Sequence, residues 1–326
     1  MNKIEIKKKF EEKYNKLLGD DYKKLLYWIF RPLKKSIRIN TIKVKDDLAN
    51  RLKSYPFDLD IKATDVLKRL EEKGFELEKI SFYEYGFWVK NRVDIGNTIE
   101  FQLGYYYPQE AASMIPVIAL DPQPGELILD MAAAPGSKTT QIAMHMENRG
   151  IIIANDISKY RLASLALNLQ RQGVVNTIIT NLDGRKFGKL DIKFDRVLLD
   201  APCSGSGAIR KSYSALIEWS ENSINRLSKL QKSLILSAFD SLKDGGILVY
   251  STCSMEPEEN EEVVNYLLEK RENAKIEKIK IDNLNYSEPF LEYNGKKFFD
   301  DIKYTIRLWP WDNDTEGFYI AKIKKR

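Results

Sequence analysis

The sequence predicts an α/β protein in which a mostly parallel, doubly wound sheet follows a smaller α+β domain. From about residue 108 onward, apolar segments of strand length alternate with amphipathic helical segments, which is the pattern of parallel strands joined by crossover helices. Before that point, short strands and helices are mixed without regular alternation. The length of 326 residues also fits two domains. We therefore expect one domain over residues 1–107 and a second over residues 108–326.

The first domain combines helical and strand patterns. Residues 3–29 place apolar side chains at helical spacing, and Pro32 interrupts that pattern. Strands are predicted at 36–44, 75–80, 87–91 and 98–104. Short helices are predicted at 47–55 and 63–74.

The second domain repeats strand and helix patterns. Its first five strands are predicted at 126–132, 151–157, 176–182, 194–202 and 247–253. Helices are predicted at 138–146, at 159–173 with Gly173 as its end, within the run 208–243 as one bent helix or two, and at 257–271. The last two strands are predicted at 275–281 and 317–325.

Positive charge is concentrated near the N-terminus. The first 50 residues contain 14 Lys and Arg against 7 Asp and Glu, whereas the whole chain has a formal net charge of +5. A solvated helical face would explain this excess, and so would a basic arm beside a polyanion. Tyr14, Tyr22, Tyr27 and Trp28 lie among these lysines, where they could stack on bases, although Trp28 could equally belong to an amphipathic helix packed on the small domain.

The sequence contains no run of about 18 apolar residues, so we expect no membrane span. Its first residues lack the short apolar core of a signal peptide. We therefore expect a cytoplasmic protein that has no membrane partner.

Cysteine and histidine are scarce. The chain has two cysteines, Cys203 and Cys253, and one histidine, His145. This supply is too small for a closed four-ligand zinc site without carboxylates, so we expect no metal. It also gives little support to a mechanism that needs a histidine base. A disulfide is not expected without a secretion signal. The alternative to a reactive role for each cysteine is that it is a buried, unreactive thiol.

A loop of small residues follows the first strand of the second domain. It reads Asp-Met-Ala-Ala-Ala-Pro-Gly-Ser-Lys over residues 130–138, and such a loop lets a ligand approach the backbone and the next helix closely. Because Gly136 is its one glycine, the loop matches neither the dinucleotide fingerprint nor the P-loop. The pattern favours a ligand without phosphates, against the alternative of a tight turn that binds nothing.

Four carboxylates lie at the ends of four successive predicted strands. They are Asp130, Asp156, Asp183 and Asp200. Each alone could be a helix cap or a turn residue, but together they outline one crevice at the carboxyl edge of the sheet. Asp156 is placed to accept hydrogen bonds from ribose hydroxyls, and Asp183 to meet an adenine amino group. A ligand with a ribose, an adenine and a cationic centre fits S-adenosylmethionine.

The two cysteines point to covalent chemistry in the same crevice. Cys203 lies just past the fourth strand and Cys253 at the end of the fifth, and these strands are neighbours in sheets of this connectivity. A thiolate that adds to C6 of a cytosine makes C5 nucleophilic enough to accept a methyl group. A donor near N3 would stabilise the charge that builds on the ring.

Four motifs carry a resemblance to a known family. They are Tyr107–Met114, Ala133–Thr139, Asp200–Gly205 and Ser251–Ser254. The sequence is similar, over nearly its whole length, to the Sun-type (Fmu-type) RNA cytosine-5 methyltransferases. The resemblance implies a Rossmann-like S-adenosylmethionine methyltransferase domain preceded by a domain that resembles an RNA-recognition motif.

The resemblance also implies residue roles. Cys253 attacks C6 and Cys203 assists release of the methylated product, although DNA cytosine-5 enzymes use a Pro-Cys cysteine as nucleophile, so spacing alone does not choose between the two. Asp200 is expected to hydrogen-bond the target base, and Lys138 belongs to the same catalytic set. The implied cofactor contacts are Ala132, Ala133, Ala134, Pro135, Gly136, Ser137, Lys138, Asp156, Arg161, Asp183 and Asp200.

RNA is the partner that the resemblance implies, with tRNA favoured, rRNA next, and a monomeric enzyme expected. A paired cytosine is stacked, so the enzyme must extract it or act on a loop. The rival hypotheses are a DNA cytosine-5 methyltransferase and a non-catalytic RNA-binding assembly factor. A nicotinamide-dependent dehydrogenase is disfavoured, because the glycine fingerprint and a usable histidine are missing.

Overall fold

Two helices begin the described part of the protein. The computed structural model describes residues 6–48 and 61–326. Helix α1 spans Lys8–Leu18 and helix α2 spans Tyr22–Ile29, with Gly19 at a positive φ of 57° ending the first. The predicted helical segment is therefore confirmed, but a turn divides it.

The apolar faces of α1 and α2 pack against the large domain. Tyr14 and Tyr22 are buried in one cluster with Trp219, Met255 and Trp309. The expectation that Tyr14 and Tyr22 stack on bases is therefore wrong, because hydrophobic packing encloses both rings.

The small domain is a four-stranded antiparallel sheet with helices. Its strands lie in the order β2-β3-β1-β4, with helices after the first and third strands, which is the split βαβ arrangement expected for a domain resembling an RNA-recognition motif. Its elements are β1 (Lys35–Ile39), α3 (Ala63–Glu72), β2 (Leu77–Lys79), β3 (Gly86–Val89), α4 (Ile99–Gln102) and β4 (Tyr106–Pro108). The helix predicted at 47–55 falls largely outside the described residues.

The strand predicted at 98–104 is wrong, because this segment forms helix α4. The Thr98 hydroxyl caps that helix by accepting a hydrogen bond from the backbone N–H of Phe101 at 3.1 Å. The strand predicted at 36–44 is also shorter, since β1 ends at Ile39. The next residue, Asn40, donates from its side chain to the carbonyl oxygens of Gly104 and Gln172, both at 2.8 Å.

The large domain carries the alternation of strands and helices that the sequence predicts. Its elements are α5 (Ile115–Leu120), β5 (Leu127–Asp130), α6 (Ser137–His145), β6 (Ile151–Asn155), α7 (Lys159–Gln172), β7 (Thr177–Thr180), β8 (Phe194–Asp200), α8 (Ser214–Glu218), α9 (Glu221–Asp240), β9 (Leu242–Thr252), α10 (Glu261–Lys270), β10 (Ala274–Glu277), β11 (Glu292–Tyr293), β12 (Lys296–Lys297), β13 (Ile306–Leu308), α11 (Pro310–Asn313) and β14 (Phe318–Lys325). The run 208–243 holds two helices, and Gly173 ends α7 at a φ of 71°, as predicted.

The large sheet confirms the doubly wound α/β fold. Its strands lie in the order β7-β6-β5-β8-β9-β14-β10, and β13 pairs with β14. The five strands from β7 to β9 are parallel, whereas β14 pairs antiparallel with β9, β10 and β13. The strand order reverses between β5 and β8, and open sheets of this kind bind ligands at that switch point.

Arg38 joins the two domains. It is fully buried, and its guanidinium donates to the Ser137 carbonyl at 2.8 Å, to the Thr140 hydroxyl at 2.9 Å and to the Gln109 side chain. Burial lowers the pKa of Arg38 to about 10. Trp88, on the same face of the small sheet, is 8% exposed. This face of the small domain therefore lies against the large domain around α6.

In the part of the chain that the structure describes, no helix has the length and apolar character needed to cross a membrane.

Replacing Arg38 by Met should lower the free energy of unfolding by about 2–4 kcal/mol. The reason is that each buried acceptor left without a donor costs about 1–3 kcal/mol. Urea unfolding followed by tryptophan fluorescence measures this change. The exposed Arg92 gives a matched control, since Arg92→Met should stay within about 0.5 kcal/mol of the parent. An equal effect of both substitutions would contradict this role of Arg38.

Candidate active site

The loop between β5 and α6 forms one wall of the site. Gly136 has a positive φ of 106°, which favours glycine, and a Cβ there would lie 2.9 Å from the end of the Leu165 side chain. The peptide bond between Ala134 and Pro135 is cis. Helix α6 begins directly afterwards at Ser137.

The predicted carboxylates stand around this loop. Asp156 accepts hydrogen bonds from the backbone N–H groups of Ala134 at 3.3 Å and Ser158 at 2.9 Å, and Arg161 lies 3.2 Å from it. Asp183 is held by Arg185, whose hydrogen bonds lower the pKa of that carboxyl. The carboxylate of Asp156 therefore links the end of β6 to the loop after β5.

Asp130 lies behind the loop and is buried. The Thr139 hydroxyl donates to its Oδ2 at 2.7 Å, whereas Oδ1 has no hydrogen-bond partner among the described residues. Burial raises the pKa of Asp130 to about 7. Asp130 therefore holds the first turn of α6 through Thr139.

A cavity of about 290 Å³ lies at the switch point. It brings together residues from four strand ends and both cysteines. The predicted site residues that line it are Ala132, Ala134, Asp156, Arg161, Asp183, Asp200, Cys203 and Cys253. Five other predicted residues, Ala133, Pro135, Gly136, Ser137 and Lys138, shape the turn or form the start of α6 without lining the cavity.

Lys138 forms an ion pair with Asp200. Its Nζ lies 2.7 Å from Asp200 Oδ2 and 2.9 Å from the Ser113 hydroxyl, while the Ser251 hydroxyl donates to Asp200 Oδ1 at 2.7 Å. Burial lowers the pKa of Lys138, but the charge and hydrogen bond of Asp200, together with the charges of Cys253 and Asp130, more than offset this and the net shift is upward. Lys138 is therefore protonated. Sequence reasoning missed Ser113 and Ser251, although they lie within the motifs Tyr107–Met114 and Ser251–Ser254.

The two cysteines are adjacent. Their sulfur atoms are 3.3 Å apart, and both side chains are partly exposed. The hydrogen bond to the Cys253 sulfur and burial together raise the pKa of the Cys203 thiol well above its ordinary value. The thiol form of Cys203 is therefore favoured.

Gly207 holds the Cys203 loop against Cys253, the residue that directly follows β9. Its N–H donates to the Cys253 carbonyl at 3.0 Å, and its own carbonyl accepts from the Gly317 N–H at 3.0 Å. A Cβ on Gly207 would lie 2.1 Å from the Gly317 carbonyl oxygen. No side chain fits this close approach, so the two loops are held together by backbone contact.

Two acids near the site, Glu110 and the buried Glu316, were missed by sequence reasoning. Glu110 accepts the backbone N–H of Glu316 at 3.2 Å, and Lys211 Nζ is 3.8 Å from the Glu316 carboxylate. Burial and the charge of Glu110 raise the pKa of Glu316 to about 8.

His145 lies at the far end of α6 from Lys138, where its Nε2 is 2.9 Å from the Tyr83 hydroxyl. Across residues 6–48 and 61–326, no group of three or more His, Cys, Asp or Glu side chains is arranged to hold a metal ion.

The fold and the site define a Rossmann-like methyltransferase. The family described as 16S rRNA methyltransferase RsmB/F matches residues 117–324, and the N-terminal domain of 16S rRNA methyltransferase RsmF matches residues 6–111. The chain belongs to the RsmB/F family, and it is an RNA cytosine-5 methyltransferase. The family thus decides between RNA and DNA, which spacing alone left open.

Individual relatives differ in the RNA that their names give. A tRNA (cytosine(49)-C(5))-methyltransferase of Pyrococcus abyssi is 51% identical over 322 residues, covering 98% of this chain and 96% of that protein. A ribosomal RNA small subunit methyltransferase F of Vibrio parahaemolyticus is 41% identical over 301 residues, covering 90% of this chain. The match spans 58% of that longer relative.

Two solved structures share the fold along their whole length. A methyltransferase homolog protein from Pyrococcus horikoshii has a TM-score of 0.83 and 38% identity, covering 98% of this chain and 95% of that one. The NSun6 protein of Pyrococcus horikoshii, solved with the ligand SFG, has a TM-score of 0.81 and 25% identity, covering 98% of both chains.

The stability of the protein should fall as pH rises from about 5 to about 8, with Glu316 as one cause. Its pKa of about 8 in the folded protein lies above the ordinary 4.5. The folded protein therefore keeps a proton that the unfolded chain loses, and each pKa unit is worth about 1.4 kcal/mol.

Replacing Glu316 by Gln should reduce the difference in free energy of unfolding between pH 5 and pH 8 by roughly 2–4 kcal/mol. Urea unfolding at the two pH values measures this difference. The exposed Glu218 gives the matched control, and Glu218→Gln should leave the slope unchanged. An unchanged slope in the Glu316 variant would contradict the assignment.

Proposed function

We propose that this protein transfers a methyl group from S-adenosylmethionine to C5 of a cytosine in tRNA through a covalent bond between Cys253 and C6. The observation that carries the proposal is the cysteine pair, with its sulfur atoms 3.3 Å apart, at the edge of the cavity that the carboxylates line. The tRNA assignment is supported by the 51% identical tRNA relative, which matches this chain along nearly its whole length. The 16S rRNA is the alternative substrate.

The residues of the cavity fit S-adenosylmethionine. The small side chains of Ala132 and Ala134 leave space beside the backbone, and Asp156 and Asp183 present acceptors for hydroxyl and amino groups. SFG, the ligand of the NSun6 structure, is an S-adenosylmethionine analogue, which supports the same use of this cavity. When bound, the cofactor supplies an electrophilic methyl group.

Cys253 acts as the nucleophile. Its thiolate adds to C6 of the cytosine, and C5 then becomes the nucleophile that takes the methyl group. When water takes up the C5 proton, the electron pair of that C–H bond re-forms the C5–C6 double bond, the bond between sulfur and C6 breaks, and the aromatic ring and the thiolate are restored. Cys203 keeps its proton beside the Cys253 sulfur, so it is placed to assist that release.

Asp200 and Lys138 orient the target base. Because Lys138 and Ser251 each donate to one carboxylate oxygen, the Asp200 side chain is held in one direction at the cavity edge. A carboxylate fixed in this way can accept a hydrogen bond from the cytosine amino group. The nearby ammonium of Lys138 stabilises negative charge that develops when the thiolate adds.

An aromatic and basic patch beside the cysteine loops is the surface that we expect to contact RNA. Its members are Tyr27, Phe30, Arg31, Lys211 and Tyr213, all of them exposed. The rings of Phe30 and Tyr213 are 6.1 Å apart. Among the described residues, no carboxylate lies within ion-pair distance of Arg31, so its charge is available to phosphates. Exposed aromatics interleaved with cations are typical of surfaces that bind unpaired nucleotides.

Arg210 connects this patch to the active site. Its guanidinium donates to the carbonyls of Pro32 and Thr315, both at 2.9 Å. It is only three residues beyond Gly207, which binds the Cys253 backbone. The patch therefore adjoins the segment that carries Gly207, whereas the sheet face around Arg38 and Trp88 is covered by the large domain.

Replacing Cys253 by Ala should lower methyl transfer to tRNA at least 1000-fold, since the covalent route is lost. Cys203→Ala should instead accumulate a covalent complex with RNA, seen as a slower band on a denaturing gel. Transfer of labelled methyl groups to a tRNA transcript measures the first effect. The opposite pattern, an inactive Cys203 variant without any adduct and an active Cys253 variant, would refute the assignment.

Two further experiments separate this proposal from its alternatives. Calorimetric titration with S-adenosylmethionine should show binding, and absence of heat at millimolar cofactor would contradict its use. Methyl acceptance by purified tRNA should exceed that by small ribosomal subunits, with bisulfite sequencing locating the modified cytosine. A preference for the subunits would favour rRNA.

The double variant Phe30→Ala, Tyr213→Ala should raise the KM for tRNA about 10- to 100-fold while kcat stays within about two-fold. The reason is that stacking contributes about 1–3 kcal/mol per base. Tyr304, an exposed tyrosine in the segment beside β10, provides a control, and Tyr304→Ala should not change KM. Equal KM values in both variants would mean that RNA binds elsewhere.

A further inference from the structure

A buried carboxylate links the two cysteine loops. Glu259 ends the short helical turn Pro257–Glu259 after β9, and its side chain is fully buried. It contacts Ser204 and Ser254, and each of these residues directly follows one of the two cysteines. The carboxylate therefore bridges segments that are 50 positions apart in the sequence.

Both oxygens of Glu259 are used. Oε1 accepts from the Ser204 backbone N–H at 3.0 Å and from the Gln231 amide at 3.1 Å. Oε2 accepts from the hydroxyls of Ser204 and Ser254, both at 2.5 Å. Gln231 also donates to the Pro202 carbonyl at 2.8 Å, so a third segment is tied to the same point. A carboxylate with four donors fixes the positions of its partners more narrowly than a single hydrogen bond does.

Charge is arranged asymmetrically around the sulfur atoms. The negative charge of Glu259 is one of the causes that raise the pKa of Cys203. On the other side, burial lowers the pKa of Lys138, whereas the charge and hydrogen bond of Asp200, followed by the charge of Cys253, raise it. The anion of Glu259 therefore disfavours a thiolate at Cys203.

Other ionisable groups near Glu259 do not reverse this arrangement. The charge of Glu256 acts on Glu259, and Lys13 lies 2.6 Å from the Glu256 carboxylate as a counter-charge. The Tyr250 hydroxyl donates to the backbone carbonyl of Glu259 at 2.5 Å. Burial raises the pKa of Glu259, while the donors from Ser204 and Ser254 oppose that shift.

We propose that Glu259 is a positioning residue that holds the two sulfur atoms in register and directs the thiolate to Cys253. This inference rests on the proposed covalent function of Cys253. Glu259 does not line the cavity, so it acts through the cysteine loops and not on the RNA or the cofactor.

The test compares Glu259→Gln with the parent enzyme by kinetics and by alkylation. We expect kcat for tRNA methylation to fall roughly 10- to 100-fold, with KM values for tRNA and cofactor within about two-fold, because misplacing a reacting group by about 1 Å costs about this much. Iodoacetamide labelling at pH 6 to 10, resolved by mass spectrometry of the two cysteine peptides, should show at least 10-fold more labelling of Cys203 relative to Cys253.

A matched control comes from the same turn. The side chain of Glu258 points to Lys13 and Tyr293, away from the cysteines, so Glu258→Gln should leave kcat and the labelling ratio unchanged. Ser204→Ala removes one of the four hydrogen bonds to Glu259 and retains the charge. It should lower kcat by only about 3- to 10-fold and keep the labelling on Cys253.

The outcomes separate this inference from the function on which it rests. Full kcat and an unchanged labelling ratio in Glu259→Gln would overturn the positioning role even if Cys253→Ala is inactive. Full activity of Cys253→Ala would instead overturn the covalent function. If Glu259→Gln does not fold, Ser204→Ala decides, and parent values of both kcat and labelling in that variant would overturn the inference.

Discussion

The parallel pairing of β8 with β9 is the constraint on which the active site depends. Its register sets Asp200 opposite Ser251, so the segments leaving both strands begin at the same level of the sheet. Cys203 and Cys253 follow within three residues, and their sulfur atoms come to 3.3 Å. A shift of register by one residue would reverse the faces of these side chains and separate the pair. The closely packed backbones of Gly207 and Gly317 then hold the loops together.

Buried charged side chains hold the small domain against the part of the large domain that forms the active-site crevice. Arg38 crosses from the small sheet to α6, the helix that presents Lys138 to Asp200. Buried charged groups are costly unless they are hydrogen-bonded, so these contacts define a narrow set of relative domain positions. The same packing covers the sheet face that an isolated RNA-recognition motif would offer to bases. We therefore propose that RNA contacts the exposed aromatic and basic side chains near Arg210 instead of this sheet face.

Much of the fold could be predicted from periodicity, and the exceptions have physical reasons. Strands β5, β6 and β8 are apolar runs bounded by polar residues, so their positions follow from the sequence. The segment 98–104 alternates like a strand, but a Thr98 cap and packing made it helical. Strand β13 and the hairpin of β11 and β12 are too short to show a period. Tyr14 lies among lysines, yet its ring is buried, because local charge does not report which face of a helix is packed.

The sequence by itself determined the class of fold, the carboxylates at the strand ends, the small-residue loop and the two cysteine motifs. These features are local, and each can be recognised from residue type and spacing within one segment. Only the tertiary structure decided that Lys138 pairs with Asp200, that Glu110 meets Glu316, and that one buried carboxylate joins both cysteine loops. Such contacts join residues far apart in the chain, and they arise because a charged group that packing removes from water must find its hydrogen-bond donors or counter-charge within the fold.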